Sequence, residues 1–399
     1  MHLLLIHQNF PGQFRELAPA RLACGHGVSA IGSTPTPPDG DQWAALNYFR
    51  YQFEDQDTPS MEQRGHAVAL VCRLIEENGL TPDLVLAHSG WGEALQLRSV
   101  WSQIPLVVMP ELWGSPLVLG YGFDQELSGQ QPDPDLFDDH NHCTIRAIED
   151  SDAALVASEG QRLSFPLPLQ QQLTVLPEGI DLTGIHSRSA SALQLGDISI
   201  RKGDPLITLV SRNLEPLRGL RQLLKAWPLI SREHPGARLL MIGGLGEGYG
   251  HEEPQGNHHL ADGMSLLPEE LDRSHIHHLE WVNHDDLIAV LSCSACHIAL
   301  SYPYTLSWSV LEAMACGAPV ISNHGSPISH AITADRNGCL VPFNNHQALA
   351  KAVLRLLNEP DLRTELGQGG RQTVLRQFNR ATSLQRFEAL FEKLVSGGP

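Results

Sequence analysis

Apolar residues fall along this chain in short continuous runs, separated by stretches in which they recur every three or four positions. That alternation predicts strands and amphipathic helices in turn, the pattern of a parallel sheet covered by helices. In the first half the runs His2–His7, Gly27–Ile31, Asp83–His88, Pro105–Met109, Ala153–Ala157 and Leu173–Leu176 predict strands. Between them Gln13–Cys24, Met61–Asn78, Gly92–Val100 and Asp135–Glu149 predict helices. The pattern lapses over Glu178–Asp204, where Ser, Gly and charge replace periodic apolar positions, as in a linker with an insert.

The alternation then restarts. Strands are predicted at Leu206–Val210, Arg238–Ile242, His277–Glu280, Cys296–Leu300 and Pro319–Ser322, and helices at Pro216–Arg232, Asp285–Cys293, Ser307–Cys316 and His346–Leu357. Leu362–Gln377 and Arg380–Val395 predict two closing helices. The expected organisation is a doubly wound domain over 1–179, a linker over 180–204, a second domain over 205–377, and a terminal helix over 378–399 able to cross back to the first. A length of 399 residues suits two such domains better than one core.

Composition adds exclusions. The run Leu3–Ile6 gives way at once to His7, Gln8 and Asn9, too short and too polar for a signal peptide or a membrane span, so a cytoplasmic location is expected. Seven scattered cysteines suit free thiols in a reducing compartment. Cys293-Ser-Ala-Cys296-His297 matches the spacing of haem attachment, but it runs into the apolar Ile298-Ala299-Leu300 of a buried strand. Net charge is −18 and uneven: residues 1–179 hold eight arginines, no lysine and 23 acidic residues, the remainder 19 basic and 22 acidic. Such an acidic first half repels phosphate backbones and anionic bilayers, so neither nucleic acid nor stable anionic-membrane binding is expected.

Two constellations carry chemistry. The predicted strand Leu206–Val210 ends in Ser211-Arg212-Asn-Leu-Glu215-Pro-Leu-Arg218-Gly219, and ligands of open parallel sheets sit beyond the carboxyl ends of strands. Arg212 and Arg218 are thereby candidates for an anionic group such as a diphosphate, the alternative being pairing with Glu215 or simple solvation. In Tyr302–Ile321 a strand end, a loop and a helix start follow one another, aiming the amides of Ser307, Trp308 and Ser309 at phosphate oxygens. Glu312, a turn further in, is placed to accept hydrogen bonds from ribose hydroxyls. Leu311 and Met314 read as core.

Tyr304–Ile321 resembles the E-x7-E signature followed by E-A-M-A-C-G-x-P-V-I of retaining glycosyltransferases of family 4, which have the GT-B architecture of two facing Rossmann-like doubly wound domains. Supporting matches are Gly12 after the first strand, Gly25-His-Gly-Val28, Asp83–His88, Pro177-Glu-Gly-Ile-Asp181 and Asn337-Gly-Cys-Leu-Val341. More narrowly the chain looks like a bacterial subgroup with His88-Ser-Gly-Trp91-Gly92-Glu93, Arg212-Asn-Leu-Glu-Pro and Leu306-Ser-Trp-Ser. The resemblance implies transfer of a hexose from a nucleotide diphosphate sugar, of the UDP or GDP type, to an acceptor hydroxyl with retention. It makes Arg212 and Arg218 the diphosphate ligands, Glu312 the ribose ligand, Leu306 to Ser309 the phosphate loop, and Gly12 and Gln13 a donor-side loop. The nucleotide base is expected near Trp281–His284. No metal or cofactor is needed in that scheme, and the acceptor, whether glycan, protein or lipid-linked saccharide, is not identified.

The sequence departs from the family pattern twice. Tyr304 stands where the signature has its first Glu, and Met109-Pro110-Glu111 stands where many members carry a His. Glu111 is a candidate substitute on the acceptor side, against a loop-solvation role, and His88 shares that side with a packing role as its alternative. The histidines of the insert 243–274 and just beyond it show no zinc spacing and read as a solvated loop. Tyr249, in the same insert, is a candidate nucleotide contact. The competing reading is a catalytically degenerate scaffold of the same architecture that binds a nucleotide sugar or a protein partner without turnover. A dinucleotide dehydrogenase is disfavoured because neither first strand-to-helix turn shows G-x-G-x-x-G.

Overall fold

Leu3 and Leu5 face one side of the first strand, Leu4 and Ile6 the other, and all four are fully buried. A strand that hides both faces belongs inside a helix-covered parallel sheet. In the computed structural model, which describes residues 1–53, 59–126, 132–187, 193–246, 248 and 257–397, this strand sits in a seven-stranded sheet. Its strands are β1 (His2–Ile6), β2 (Gly27–Gly32), β3 (Asn47–Arg50), β4 (Leu84–His88), β5 (Leu106–Met109), β6 (Ala153–Val156) and β7 (Leu173–Val175). All pair in parallel in the order β3-β2-β1-β4-β5-β6-β7. The order reverses between β1 and β4, the switch point at which such sheets bind ligands.

The second sheet repeats the plan. After a two-stranded antiparallel hairpin, β8 (Leu193–Leu195) and β9 (Ile198–Ile200), come β10 (Leu206–Asn213), β11 (Arg238–Gly244), β12 (Ile276–Leu279), β13 (Cys296–Ala299), β14 (Val320–Asn323) and β15 (Cys339–Val341). These six pair in parallel in the order β12-β11-β10-β13-β14-β15, with the switch point between β10 and β13. Ile207 and Leu209 enter one core and Leu206 another, the same two-sided burial as in β1.

Contacts divide the chain into two units, one of Met1–Gly114, Asp133–Gly179 and Arg380–Pro399, the other of Ser115–Pro132 and Ile180–Asn379. The last helix, Arg380–Val395, places Phe387 and Phe391 in the core of the first unit, where Arg21 is buried against the Phe391 ring and hydrogen-bonded to Glu388.

Several elements differ from expectation. β3 was not predicted because its Tyr48 and Phe49 are only half-buried, leaving no apolar run at this sheet edge. β15 is three residues long. Part of the stretch expected as a linker is the β8–β9 hairpin, whose Ile198 and Ile200 pack with Leu240, Ile242 and Val290. The helix expected over Gly92–Val100 shrinks to Leu97–Val100, because Gly92 takes a φ of 102° and lies so close to Met61 that any side chain would overlap its backbone. A short helix, His259–Ser265, occupies part of the insert. Among the described residues no helix is long and apolar enough to cross a membrane.

Candidate functional site

The switch point of the first sheet is occupied by a network of imidazoles and carboxylates. His7 follows β1 directly, His88 ends β4, and their rings lie 4.8 Å apart. Asn9 N donates to His7 Nδ1 at 2.9 Å, so the ring proton sits on Nε2, which contacts the Gln13 side-chain oxygen. Gln13 Nε2 donates to Glu111 Oε1 at 3.3 Å, and His88 Nε2 lies 3.4 Å from Glu111 Oε2. The loop carrying Gln13 approaches this closely because residue 12 is glycine: its φ is 44°, and a side chain there would overlap the His7 ring.

Glu111 is held in a costly conformation. Its φ of 65° centres a three-residue turn in which Leu112 N donates to Pro110 O at 2.8 Å, and Gln161 Nε2 donates to the Glu111 carbonyl at 3.1 Å. A non-glycine residue in the left-handed region at a strand end is strain retained by its surroundings, a frequent mark of a working site.

Charge in this network is distributed unevenly. Burial pushes the His7 pKa down, helped by the neighbouring His88, to about 3, so His7 is neutral. Burial also works against a charge on His88, but Glu111, Glu93 and Glu178 outweigh it and raise its pKa. Burial would raise Glu111, yet His88, His7 and His140 hold its carboxyl below the usual range. Glu178, pushed up by burial and by the Glu111 charge to about 7, stands at the end of the same network. A protonated His88 facing an ionised Glu111 is thus the dominant pair. His88 is 1% exposed and cannot itself meet a ligand, whereas the Glu111 side chain is 27% exposed.

The second switch point is built from one guanidinium, hydroxyls and amides. Arg218, in the short turn Pro216–Arg218 after β10, donates from Nη1 to Ser301 Oγ at 3.0 Å and to Thr305 O at 3.3 Å, with its guanidinium 5.7 Å from the Tyr304 ring centre. Ser301 is fixed by Asn323, fully buried at the end of β14, whose Oδ1 accepts from Ser301 N at 2.7 Å and whose Nδ2 donates to Ser301 O at 2.9 Å. Arg218, Ser301, Thr305, Leu306, Ser307 and Ser309 line a recess above the ends of β10 and β13. Its floor includes His297, which burial lowers to a pKa of about 4, bonded to Thr208 Oγ1 at 3.0 Å.

The helix Trp308–Ala315 starts on the rim of this recess. Ser307 precedes it without capping it by side chain; the Ser307 and Ser309 hydroxyls lie 2.8 Å apart and Ser309 Oγ donates to Val210 O at 3.1 Å. The first turn of this helix therefore begins beside the recess without a capping oxygen from the Ser307 side chain. One turn on, Glu312 is buried and accepts from His284 Nε2 at 2.9 Å. Trp281, three residues before His284, is 78% exposed.

Among the residues singled out in the sequence, Gly12, Gln13, His88 and Glu111 come together in the first unit, and Arg218, Tyr304, Leu306, Ser307 and Ser309 in the second. Arg212 lies exposed on β10, between Val210 and Asn213 where the register shifts, and is not among the residues that line the recess. Trp308 is half-buried beside the recess without lining it. Tyr249 lies outside the described residues. Sequence reasoning missed His7, Glu178, Ser301 and Asn323. For His7 and Ser301 a signal exists, since each follows the apolar run of a strand that borders a switch point. Among the described residues no group of three or more His, Cys, Asp or Glu side chains could hold a metal ion.

Two doubly wound parallel sheets of matching order, each with a polar site where the order reverses, make up an architecture of two Rossmann-like domains. Residues 196–373 match the family model of glycosyl transferases group 1, and residues 40–185 that of the glycosyl transferase family 4 group, so the chain carries one domain of each. Over 215 residues it is 27% identical to D-inositol 3-phosphate glycosyltransferase of Saccharomonospora viridis, covering 53% of this chain and 47% of that protein. Over 190 residues it is 26% identical to trehalose synthase of Pyrococcus horikoshii, covering 48% and 44%. These matches span about half the length of the curated relatives. The fold is shared end to end with sucrose-phosphate synthase of Thermosynechococcus elongatus, at a TM-score of 0.76, 20% identity and 100% of both chains. Anabaena HepE in complex with UDP-glucose superposes at a TM-score of 0.70, with 14% identity over 98% of this chain and 100% of that one.

Proposed function

We propose that the protein is a glycosyltransferase that moves a hexose from a nucleotide diphosphate sugar to an acceptor hydroxyl. The observation that carries this is the recess of the second unit, where a fixed Arg218, the hydroxyls of Ser301, Ser307 and Ser309 and the start of the helix Trp308–Ala315 converge at the switch point. Such a site recognises phosphate oxygens, and the buried Glu312 one turn in supplies an acceptor for ribose hydroxyls. Negative charge accumulates on the diphosphate as its bond to the sugar breaks, and Arg218 with the helix amides stabilises it there. Exposed Arg212, at the same strand end, is assigned a weaker share of that task. Glu111 is assigned to the acceptor hydroxyl, with His88 as the positioning residue that keeps it ionised. Retention at the anomeric carbon is part of the reading because the Tyr304–Ile321 resemblance implies it. The solved complexes of HepE with UDP and UDP-glucose make a uridine nucleotide the first to try.

A second reading, a scaffold that binds without turnover, draws on Tyr304, whose ring covers Arg218 where the family signature has a carboxylate. Thermal unfolding against UDP, GDP, ADP and CMP, followed by an assay of sugar release and transfer from the matching nucleotide sugar, separates the two. Ligand at about a hundred times its dissociation constant adds roughly 2.7 kcal/mol of stability, so a binder is visible. The expected outcome is a midpoint rise with UDP or GDP alone and measurable transfer; a rise without any turnover supports the scaffold, and no rise with any nucleotide removes the donor site.

A further inference from the structure

The loop that holds Arg218 is itself held from far away in sequence. Between Ser301 and Thr305, the two residues that accept from Arg218, lies Tyr302, with no exposed surface. Tyr302 N donates to Leu217 O at 3.1 Å, immediately before Arg218, and its hydroxyl donates to Asp124 Oδ2 at 2.7 Å, 178 residues away. Asp124 is 6% exposed, and its other oxygen accepts from Glu126 N at 3.0 Å. A phenol and a carboxylate this deeply buried each need the other, because either one left alone keeps its full desolvation cost.

Asp124 belongs to Ser115–Pro132, a stretch that counts with the second unit although the chain before and after it counts with the first. Residues 123–126 are anchored one after another. Phe123 stacks with Tyr302 and Phe343 at ring distances of 6.0 and 5.3 Å, and Asn344 donates to Phe123 O at 2.7 Å and accepts from Gln125 N at 3.0 Å. Glu126 accepts from Lys225 at 2.5 Å, Gln222 at 2.8 Å and Arg221 at 2.9 Å. Those three residues lie on Leu220–Glu233, the helix that starts two residues after Arg218.

We propose that Asp124 is a positioning residue for the donor diphosphate: it fixes Tyr302, and through Tyr302 the Ser301–Thr305 loop that sets the direction of the Arg218 guanidinium. This rests on the reading of the recess as the donor site. An arginine displaced by even an ångström loses its alignment with phosphate oxygens, while ribose and base contacts elsewhere are untouched. The effect of losing Asp124 is therefore specific to the diphosphate.

The test compares UDP and UMP, or GDP and GMP, by titration calorimetry on the full chain and its variants. Asp124→Ala and Tyr302→Phe are each expected to lower the ratio of diphosphate to monophosphate affinity by about tenfold, the equivalent of one charge-assisted hydrogen bond. Asp124→Asn, whose amide oxygen can still accept from Tyr302, is expected to restore most of that ratio. Glu126→Gln, which loosens the same stretch at its other anchor, is expected to lower the unfolding midpoint and leave the ratio alone. A ratio unchanged in both Asp124→Ala and Tyr302→Phe, mono- and diphosphate affinities falling together, or an Asn variant no better than Ala would each overturn the assignment while wild-type binding keeps the donor site. Absence of nucleotide binding by the wild type overturns both.

Discussion

The two switch points occupy the same place in sheets of the same order, yet they are furnished with opposite chemistry. In the second unit a permanent cation, Arg218, is surrounded by groups that do not titrate near neutrality: a serine hydroxyl, a threonine carbonyl and a tyrosine ring face. In the first unit the corresponding place holds His7, His88, Glu111 and Glu178, each with its pKa moved by burial and by its neighbours. Topology decides where a ligand can sit, and the residues just past each strand decide what it can be. A site of fixed charge suits an anion that must be held at any pH, whereas a coupled imidazole–carboxylate network suits a group whose proton has to be managed. The contrast predicts that changes in the second unit act on nucleotide binding and changes in the first on transfer and on pH response.

The largest effect is expected at Arg218. Arg218→Ala should lower the rate of sugar transfer by about 100-fold or more and weaken diphosphate binding, and Arg218→Lys should recover only part, because a point charge cannot reach Ser301 and Thr305 while facing a phosphate in the same geometry. Steady-state kinetics with the nucleotide sugar check this; a fully active lysine variant would show that only net charge matters. Next in size, Glu111→Gln should cut transfer by roughly tenfold or more while leaving nucleotide affinity within a factor of about two. If nucleotide affinity falls with transfer, the division of labour between the units is wrong.

Gly12→Ala should act more weakly, through structure. The new methyl group would overlap the His7 ring at a φ that only glycine adopts freely, so a loss of stability of about 2 kcal/mol is expected, read by urea unfolding.

Most of the two sheets could be read from the sequence because doubly covered parallel strands write themselves as continuous apolar runs, Leu3–Ile6 and Leu239–Ile242 among them. The elements missed are those without that signature: β3, half-buried at a sheet edge; β15, three residues long; and a hairpin with Ile198 and Ile200 as its buried pair. At the second switch point the order of Arg, Ser-rich loop and helix start was visible, because strand end, loop and helix are local. The register shift in β10 beside Arg212 was not, since no residue type announces it. Nor was the seat of residues 123–125, since Tyr302, Phe343 and Asn344, which hold Asp124, Phe123 and Gln125, follow about 180 to 220 residues later.

The smallest effect, and the one that isolates the titrating character of the first unit, is expected at Glu178. Its folded-state pKa of about 7 stands above the ordinary 4.5, with burial as the main cause, the charge of Glu111 adding to it, and His88 and Arg15 opposing. Between about pH 4.5 and 7 the folded protein keeps a proton that the unfolded chain releases, so this group costs stability progressively as pH rises through that window and costs nothing below it. His88 behaves in the opposite sense to an ordinary carboxylate pair: with its pKa raised, its contribution is complete below about 6.5 and is lost as pH climbs through the folded value. Both effects weaken the wild type on the alkaline side. Glu178→Gln removes the first and trims the second, because Glu178 is one of the charges that support protonated His88. The variant should therefore match the wild type in melting temperature at pH 4.5 and exceed it by on the order of 2 °C at pH 8. Scanning calorimetry across that range decides the matter: a constant offset at every pH would show that Glu178 is merely packed in the first unit, and only a difference that grows between pH 4.5 and 7 places it in the proton-carrying network with His88 and Glu111.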